Sequence, residues 1–458
     1  MSISATGVRT TTNSPARNPG RGLRTNPAVI TFLCWIAILL DGFDLVVLGA
    51  TIPFMLEDSS WDFTAADATT ITTAGLLGMM LGALIIGFLT DKLGRRWVLI
   101  GSVAAFSIFT AFLGFTDSVV WFIAWRFLAG LGLGGALPTG IALVTEFRPG
   151  SKASSASTTL MTGYHVGAVA TALLALIIIN PFGWHSMFIA GALPALVLVP
   201  AMIVLLPESP QYLRSQGREA EARAIADRYG LIIDDELDRA HAGEIEGAGS
   251  VRTLFKPTFR RNTIAIWGTS FMGLLLVYGM NTWLPQIMRA ADYDMGNALG
   301  FLMVLNIGAV VGLVIAGKVA DTHSPRKTAL LWFVASAVFL ALLSVRMPIV
   351  GIYAAVFVTG VFVFSSQVLV YGFVGENHPS HVRATAMGFS AGIGRLGAIS
   401  GPMLGGLMVD RGIAYPWGFY AFAAVGLLGA LIFSMSRTLK TRGPVPTQPT
   451  EVKSNTTV

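Results

Sequence analysis

Apolar residues in this chain come in long runs separated by short polar clusters, rather than in the alternating or narrow amphipathic patterns of soluble domains. Twelve runs stand out, near 28–55, 70–90, 97–115, 119–145, 156–180, 184–206, 263–288, 297–318, 327–345, 348–374, 384–409 and 415–436. A helix crosses the hydrocarbon of a bilayer with roughly 20 apolar residues. Inside lipid, only a helix or a closed barrel satisfies its own backbone. The pattern therefore predicts an all-α membrane protein with twelve transmembrane helices. Six runs fall on each side of one polar segment, which divides the chain into a tail (1–26), a six-helix bundle (27–206), a linker (207–262), a second six-helix bundle (263–437) and a second tail (438–458). The linker contains a helix-like stretch, Arg218-Glu219-Ala220-Glu221-Ala222-Arg223.

Composition agrees and narrows the classes. The 458 residues are 53% hydrophobic and only 12% charged, against about 25% charged in a soluble chain. The net charge of +6 reflects basic residues spread over short loops, which reads as a topology signal and not as a nucleic-acid surface. Of the 31 Lys and Arg residues, Arg289, Arg346 and Arg411 fall in loops of one side and Arg126 and Arg395 fall inside spans; the remaining 26 lie on the side of the two tails. This predicts a multi-pass cell-membrane protein with both termini cytoplasmic. The first 26 residues lack the apolar core and cleavage site of a secretory signal. The single cysteine, Cys34, lies within the first run and excludes a disulfide framework or Cys-based metal site. No His-Glu-x-x-His, paired Ser/His or Cys/His cluster is present, so neither a metal, a cofactor nor enzyme chemistry is expected.

The two halves repeat. Gly87-Phe88-Leu89-Thr90-Asp91-Lys92-Leu93-Gly94-Arg95-Arg96 leaves the second span, and 230 residues later Gly317-Lys318-Val319-Ala320-Asp321-Thr322-His323-Ser324-Pro325-Arg326 leaves the eighth. The same displacement maps Glu146 onto Glu376, Pro149 onto Pro379, Gly130 onto Gly360 and Gly167 onto Gly397. Paired repeats with a binding site between them near the bilayer midplane are a recurrent transporter plan.

On these residues the chain resembles a known group. Gly87-x-x-x-Asp91-Lys92-x-x-Gly94-Arg95-Arg96 is similar to the signature loop of the major facilitator superfamily. Arg126-x-x-x-Gly130-x-Gly132-x-Gly134-Gly135 resembles its fourth-span motif, and Pro207-Glu208-Ser209-Pro210-Gln211-Tyr212-Leu213 the element closing its sixth span. Asp41-Gly42-Phe43-Asp44 resembles the first-span signature of its aromatic acid/proton symporters. The resemblance implies two pseudo-symmetric six-helix bundles, a functional monomer, and proton-driven import of a small aromatic carboxylate, benzoate first, by alternating access. A hydroxybenzoate, protocatechuate, other organic acid or sugar as cargo, and more remotely a membrane-embedded enzyme, are the competing readings.

Candidate residues follow from the cost of charge at the midplane, on the order of 2.5–3.5 kcal/mol each on insertion scales. Asp41 and Asp44 share a helix face at i,i+3 and are the candidates for proton coupling, with structural carboxylates as the plainer alternative. His165 and Arg395 are related by the 230 displacement and lie about halfway along their spans. Arg395, a planar fork suited to a carboxylate, is the first candidate for a substrate anion. Arg126 is the second; the plainer reading of either arginine is a fixed partner of Asp41 or Asp44. His165 reads as a titrating group or a packed histidine. Tyr278, Trp283, Phe364 and Tyr371 can stack on a flat ring, and Asn281 and Gln367 can bond its substituents. A gating role is expected for Gly87, Asp91, Arg95, Arg96 and Glu146, repeated by Asp321, Arg326, Glu376 and Arg383. In that arrangement the arginines pair with acids and lock the cytoplasmic side until the halves rock. The glycines of spans four and eleven read as packing devices.

Overall fold

A computed structural model describes residues 26–147, 151–231, 251–378 and 380–438. The expected tails before 26 and after 438, and the middle of the 207–262 linker, lie outside the described residues. The first half consists of α1 (Ala28–Glu57), α2 (Ala65–Leu93), α3 (Arg95–Leu113), α4 (Val119–Phe147), α5 (Ser151–Phe182) and a sixth helix in two pieces, α6 (His185–Ala192) and α7 (Ala195–Leu205). Short helices α8 (Pro210–Ser215), α9 (Glu219–Tyr229) and α10 (Val251–Leu254) lead to the second half. There, α11 (Pro257–Ala290), α12 (Met295–His323), α13 (Pro325–Leu342), α14 (Ile349–Asn377) and α15 (Ser380–Asp410) are followed by a wide turn at Ala414–Gly418 and α16 (Phe419–Ser434). Among the described residues, eleven helices are long and apolar enough to cross a membrane, counting α6–α7 as one. The twelfth expected span is α15, a full-length helix whose glycines and Arg395 dilute its hydropathy.

Two of the long helices, α2 and α12, begin ahead of their apolar runs under polar caps. α2 starts at Ala65 under a capping box: Thr64 Oγ1 accepts from the Asp67 backbone N–H, and Asp67 accepts from the Thr64 N–H at 3.0 Å. In the second half, Asp294 caps α12 by accepting from Asn297 N at 2.9 Å. The sixth helix is interrupted at Leu193–Pro194, where proline offers no N–H to the ladder, although both residues keep right-handed helical dihedrals.

The repeat is written in these boundaries. Helix starts at 65, 95 and 119 recur at 295, 325 and 349, each 230 residues on. Packing partners recur as well: α1 with α5 and α11 with α15, α2 with α4 and α12 with α14, α3 with α4 and α13 with α14. Close helix crossings use the same register. A Cβ at Gly78 would strike the Phe127 carbonyl and one at Gly82 the Leu131 carbonyl; Gly308 and Gly312 stand in the same way against Phe357 and Val361. Small residues let transmembrane backbones approach in this manner.

The halves meet through α1 with α11, α2 with α15 and α5 with α12. At the end of the molecule carrying Glu57 and Arg289, one apolar core runs through both halves, joining Val46, Ile52 and Met55 to Leu276, Trp283, Leu302 and Leu305. At the end carrying Arg95, the cores are separate, one around Leu99, Phe106 and Leu143 and the other around Phe333, Val370 and Phe433. The two halves are thus sealed at the Glu57 end and parted at the Arg95 end.

Candidate functional site

The two aspartates of α1 are both buried, Asp41 4% and Asp44 2% exposed, but they differ in what they meet. Asp44 is fully engaged within the first half. Thr110 Oγ1 of α3 donates to Oδ1 at 2.6 Å, Arg126 Nη1 of α4 donates to Oδ2 at 2.5 Å, and Arg126 Nη2 donates to the Asp44 carbonyl at 2.9 Å. Charge-assisted bonds at these lengths are among the stronger ones available. Arg126 is therefore the fixed partner of Asp44, the second of its two sequence readings.

Asp41 lies one turn nearer the parted end, and its Oδ1 has no hydrogen-bond partner. It lies within electrostatic reach of Arg395 of α15, in the other half. Arg395 Nη1 donates to Tyr278 Oη at 3.2 Å and sits 2.9 Å from Met79 Sδ. Its charge also acts on Tyr164 and Tyr371. Arg395 makes no described salt bridge to a carboxylate, so its fork is held in place by neutral groups.

Aromatic and amide side chains complete this centre. His165 stands edge-on to Tyr164 (5.2 Å between centroids) and to Phe364 of the opposite half (5.9 Å), with Nδ1 unpartnered. Gln367 is 3% exposed and stands within hydrogen-bonding reach of Tyr371, one turn later on α14. Asn281 Oδ1 accepts from Asn306 Nδ2 at 3.0 Å, leaving Asn281 Nδ2 unpartnered. Buried polar atoms without partners are uncommon in native interiors, and here several gather in one place. A small cavity lined by Met79, Arg126, Tyr278 and Asn281 connects the Asp44 pair to this group.

Trp283 does not belong to it. Its ring is fully buried against Gly405 and Gly406 of α15, and Nε1 donates to the Pro402 carbonyl at 2.8 Å. The glycines of α15 make a groove that this indole fills, so the residue locks two helices and cannot stack on a ligand.

Of the expected gating contacts, the one between Arg95 and Glu146 is present, and Arg96 is placed differently. Arg95 pairs with Glu146, which in turn accepts from Ser209 Oγ, all within the first half and its linker. Arg96 pairs with no acid through its side chain. Its Nη2 donates to the Ile203 carbonyl near the end of α7, and its backbone N–H donates to Glu208 at 3.0 Å. Arg326, 230 residues on, likewise donates to the Ser434 and Ser436 carbonyls at the end of α16. Both arginines meet the unpaired carbonyls and negative dipole end of a helix, which corrects the expectation of acid partners. The surroundings of Gly87 and the side chains of Asp91, Asp321, Glu376 and Arg383 lie outside the described residues. Among the described residues, the ion pair that joins the halves is Glu57–Arg289, between α1 and α11 at the sealed end.

Sequence reasoning missed Thr110, Tyr164, Met79 and the Glu57–Arg289 pair. Thr110 carried the only usable signal, a hydroxyl at the depth of Asp44 in an otherwise apolar stretch of α3.

A family model described as Major Facilitator Superfamily matches residues 34–390 and 297–457. The chain belongs to the major facilitator superfamily. That places it among transporters and not enzymes. It is 30% identical over 437 residues to a benzoate transport protein of Acinetobacter baylyi, covering 93% of each chain. To a gentisate transporter of Corynebacterium glutamicum it is 32% identical, covering 88% of this chain and 85% of the relative. Its fold matches a partially occluded inward-open conformation of the xylose transporter XylE from E. coli, with a TM-score of 0.71 and 17% identity over 90% of this chain and 99% of that one.

Proposed function

We propose that the protein is a proton-coupled importer of small aromatic carboxylates, with benzoate the first candidate, working by alternating access between its two halves. The names of its relatives support aromatic acids as cargo. The observation that carries the reading is Arg395, an arginine at the midplane held by Tyr278 and Met79 with no carboxylate bonded to it, facing the uncommitted Asp41. A guanidinium fork matches a carboxylate in two bonds, while Phe364, Tyr278 and Tyr371 supply faces and edges for a flat ring.

Domain roles follow from this reading: 27–206 brings Asp41 and 263–437 brings Arg395, with the 207–262 linker and both termini in the cytoplasm, as the Lys and Arg bias supports. The parted Arg95 end is then the cytoplasmic one. Hydroxybenzoates or protocatechuate are the second choice of cargo, favoured by the unpartnered Nδ2 of Asn281. Labelled benzoate uptake into liposomes carrying the purified protein tests the reading. Saturable accumulation that requires an inward proton gradient and is competed by hydroxybenzoates is expected; uptake indifferent to the gradient would refute the coupling.

A further inference from the structure

α1 carries Glu57 in its last turn and two acids within the span, of which Asp41 has an oxygen without a partner. Asp44 is closed by Thr110 and by two nitrogens of Arg126, so its charge is matched within the first half. Asp41 faces Arg395 across the interface between the halves with an unpartnered oxygen. The other titratable groups facing it are Tyr164 and His165 of α5 and Tyr278 of α11. The remaining helices packed against α1, namely α2, α6, α7 and α12, carry charged residues or histidine only near their ends.

We infer that the transport cycle is electroneutral, with one proton carried on Asp41 for each carboxylate carried on Arg395. The inference rests on the reading above and fixes its stoichiometry. In the empty site, the Asp41 carboxylate balances the Arg395 guanidinium. In the loaded site, a proton on Asp41 removes one negative charge and the substrate carboxylate on Arg395 restores it. The proton is taken from one side with the substrate and released to the other side with it. A proton alone leaves one unpaired positive charge, and a carboxylate alone one unpaired negative charge. Either excess is costly at the midplane, so closure is open only to the empty and doubly loaded forms.

The test uses the full chain in liposomes, with protein-free vesicles setting the background of the permeant acid. Labelled benzoate is presented under a one-unit pH gradient, with a potassium diffusion potential of about 60 mV of either sign, each worth about tenfold per charge moved. Equal initial rates at both signs, about tenfold accumulation per pH unit, and no steady transport current are expected. A sustained current, or a rate that follows the potential, would overturn the one-to-one stoichiometry while leaving proton-coupled uptake standing. Absence of saturable uptake under every condition would overturn both. The variant Asp41→Asn supplies the second measurement. It should keep exchange of internal for external benzoate, because its loaded form is still neutral, and should lose net gradient-driven uptake. Retained accumulation by Asp41→Asn would refute Asp41 as the carrier, and loss of the current-free behaviour only in His165→Gln would move the proton to the histidine.

Discussion

Replacing Arg126 by methionine removes the cation from a site where both partners are nearly inaccessible, with side chains 6% and 3% exposed. Asp44 would keep only the Thr110 hydroxyl, and its second oxygen and its carbonyl would lose donors at 2.5 and 2.9 Å. Breaking one side of a buried ion pair costs about 3–5 kcal/mol, a large part of a typical stability of about 5–15 kcal/mol. Asp44→Asn alone should cost a similar amount by stranding the guanidinium. The double variant Asp44→Asn/Arg126→Met strands no charge, so it should be no worse than either single change, which makes the coupling about 3–5 kcal/mol, the cost of one single change. Arg126→Lys keeps a point charge and loses the second bond, and should fall between wild type and methionine. Unfolding in mixed micelles of increasing SDS fraction, followed by tryptophan fluorescence, measures all four. Additive losses in the double variant, or a methionine variant as stable as wild type, would refute the closed-pair assignment.

Three further outcomes follow from the same geometry. Glu57→Gln should favour opening at the sealed end only slightly, because the Arg289 pair is partly solvent-exposed and such pairs are worth about 0.2–1 kcal/mol; thiol labelling of Thr72→Cys, with native Cys34 fully buried, should accelerate by no more than about fivefold, and a far larger change would refute this ranking. Trp283→Phe should lower stability by about 1 kcal/mol through loss of its bond to Pro402 and leave benzoate affinity unchanged; an altered substrate KM in transport assays would return Trp283 to the site. Gly82→Val and Gly312→Val should each cost about 1–3 kcal/mol from overpacking, since each would meet a backbone carbonyl on the facing helix; a valine tolerated in one half but not the other, by thermal denaturation, would contradict the equivalence of the two crossings.

The spans, their grouping in sixes and the 230-residue register were legible because burial in lipid imposes long apolar runs and because repeated turns need the same residues. Thr64 and Asp294, Gly82 and Gly312, Arg96 and Arg326 fall on that register and do the same local work in each half. Depth along a span was legible too, which is how Asp41, Asp44, Arg126 and Arg395 were brought together as midplane charges. Direction around each helix was not. Positions i and i+3 differ by about 60° around an α-helix, enough to turn Asp44 toward α3 and α4 and Asp41 toward the other half. Trp283 was misread for a related reason. Its partner is a groove made by Gly405 and Gly406, and a groove in another helix leaves no mark on the tryptophan's own segment. Arg96 and Arg326 were assigned acids because charge pairing is visible in a sequence, whereas the bare carbonyls at the end of a helix are a property of its backbone.

The apolar core that joins the two halves at the Glu57 end gives the transporter a thermal bias. That seam is Val46, Ile52 and Met55 against Leu276, Trp283 and Leu302, with one partly exposed ion pair at its rim. Opening it exposes hydrocarbon to water, which raises the heat capacity, and the attraction that holds it shut weakens on cooling. The balance between the two faces of the cavity is then a curved function of temperature, and in the cold a larger fraction of molecules stands open on the Glu57 side.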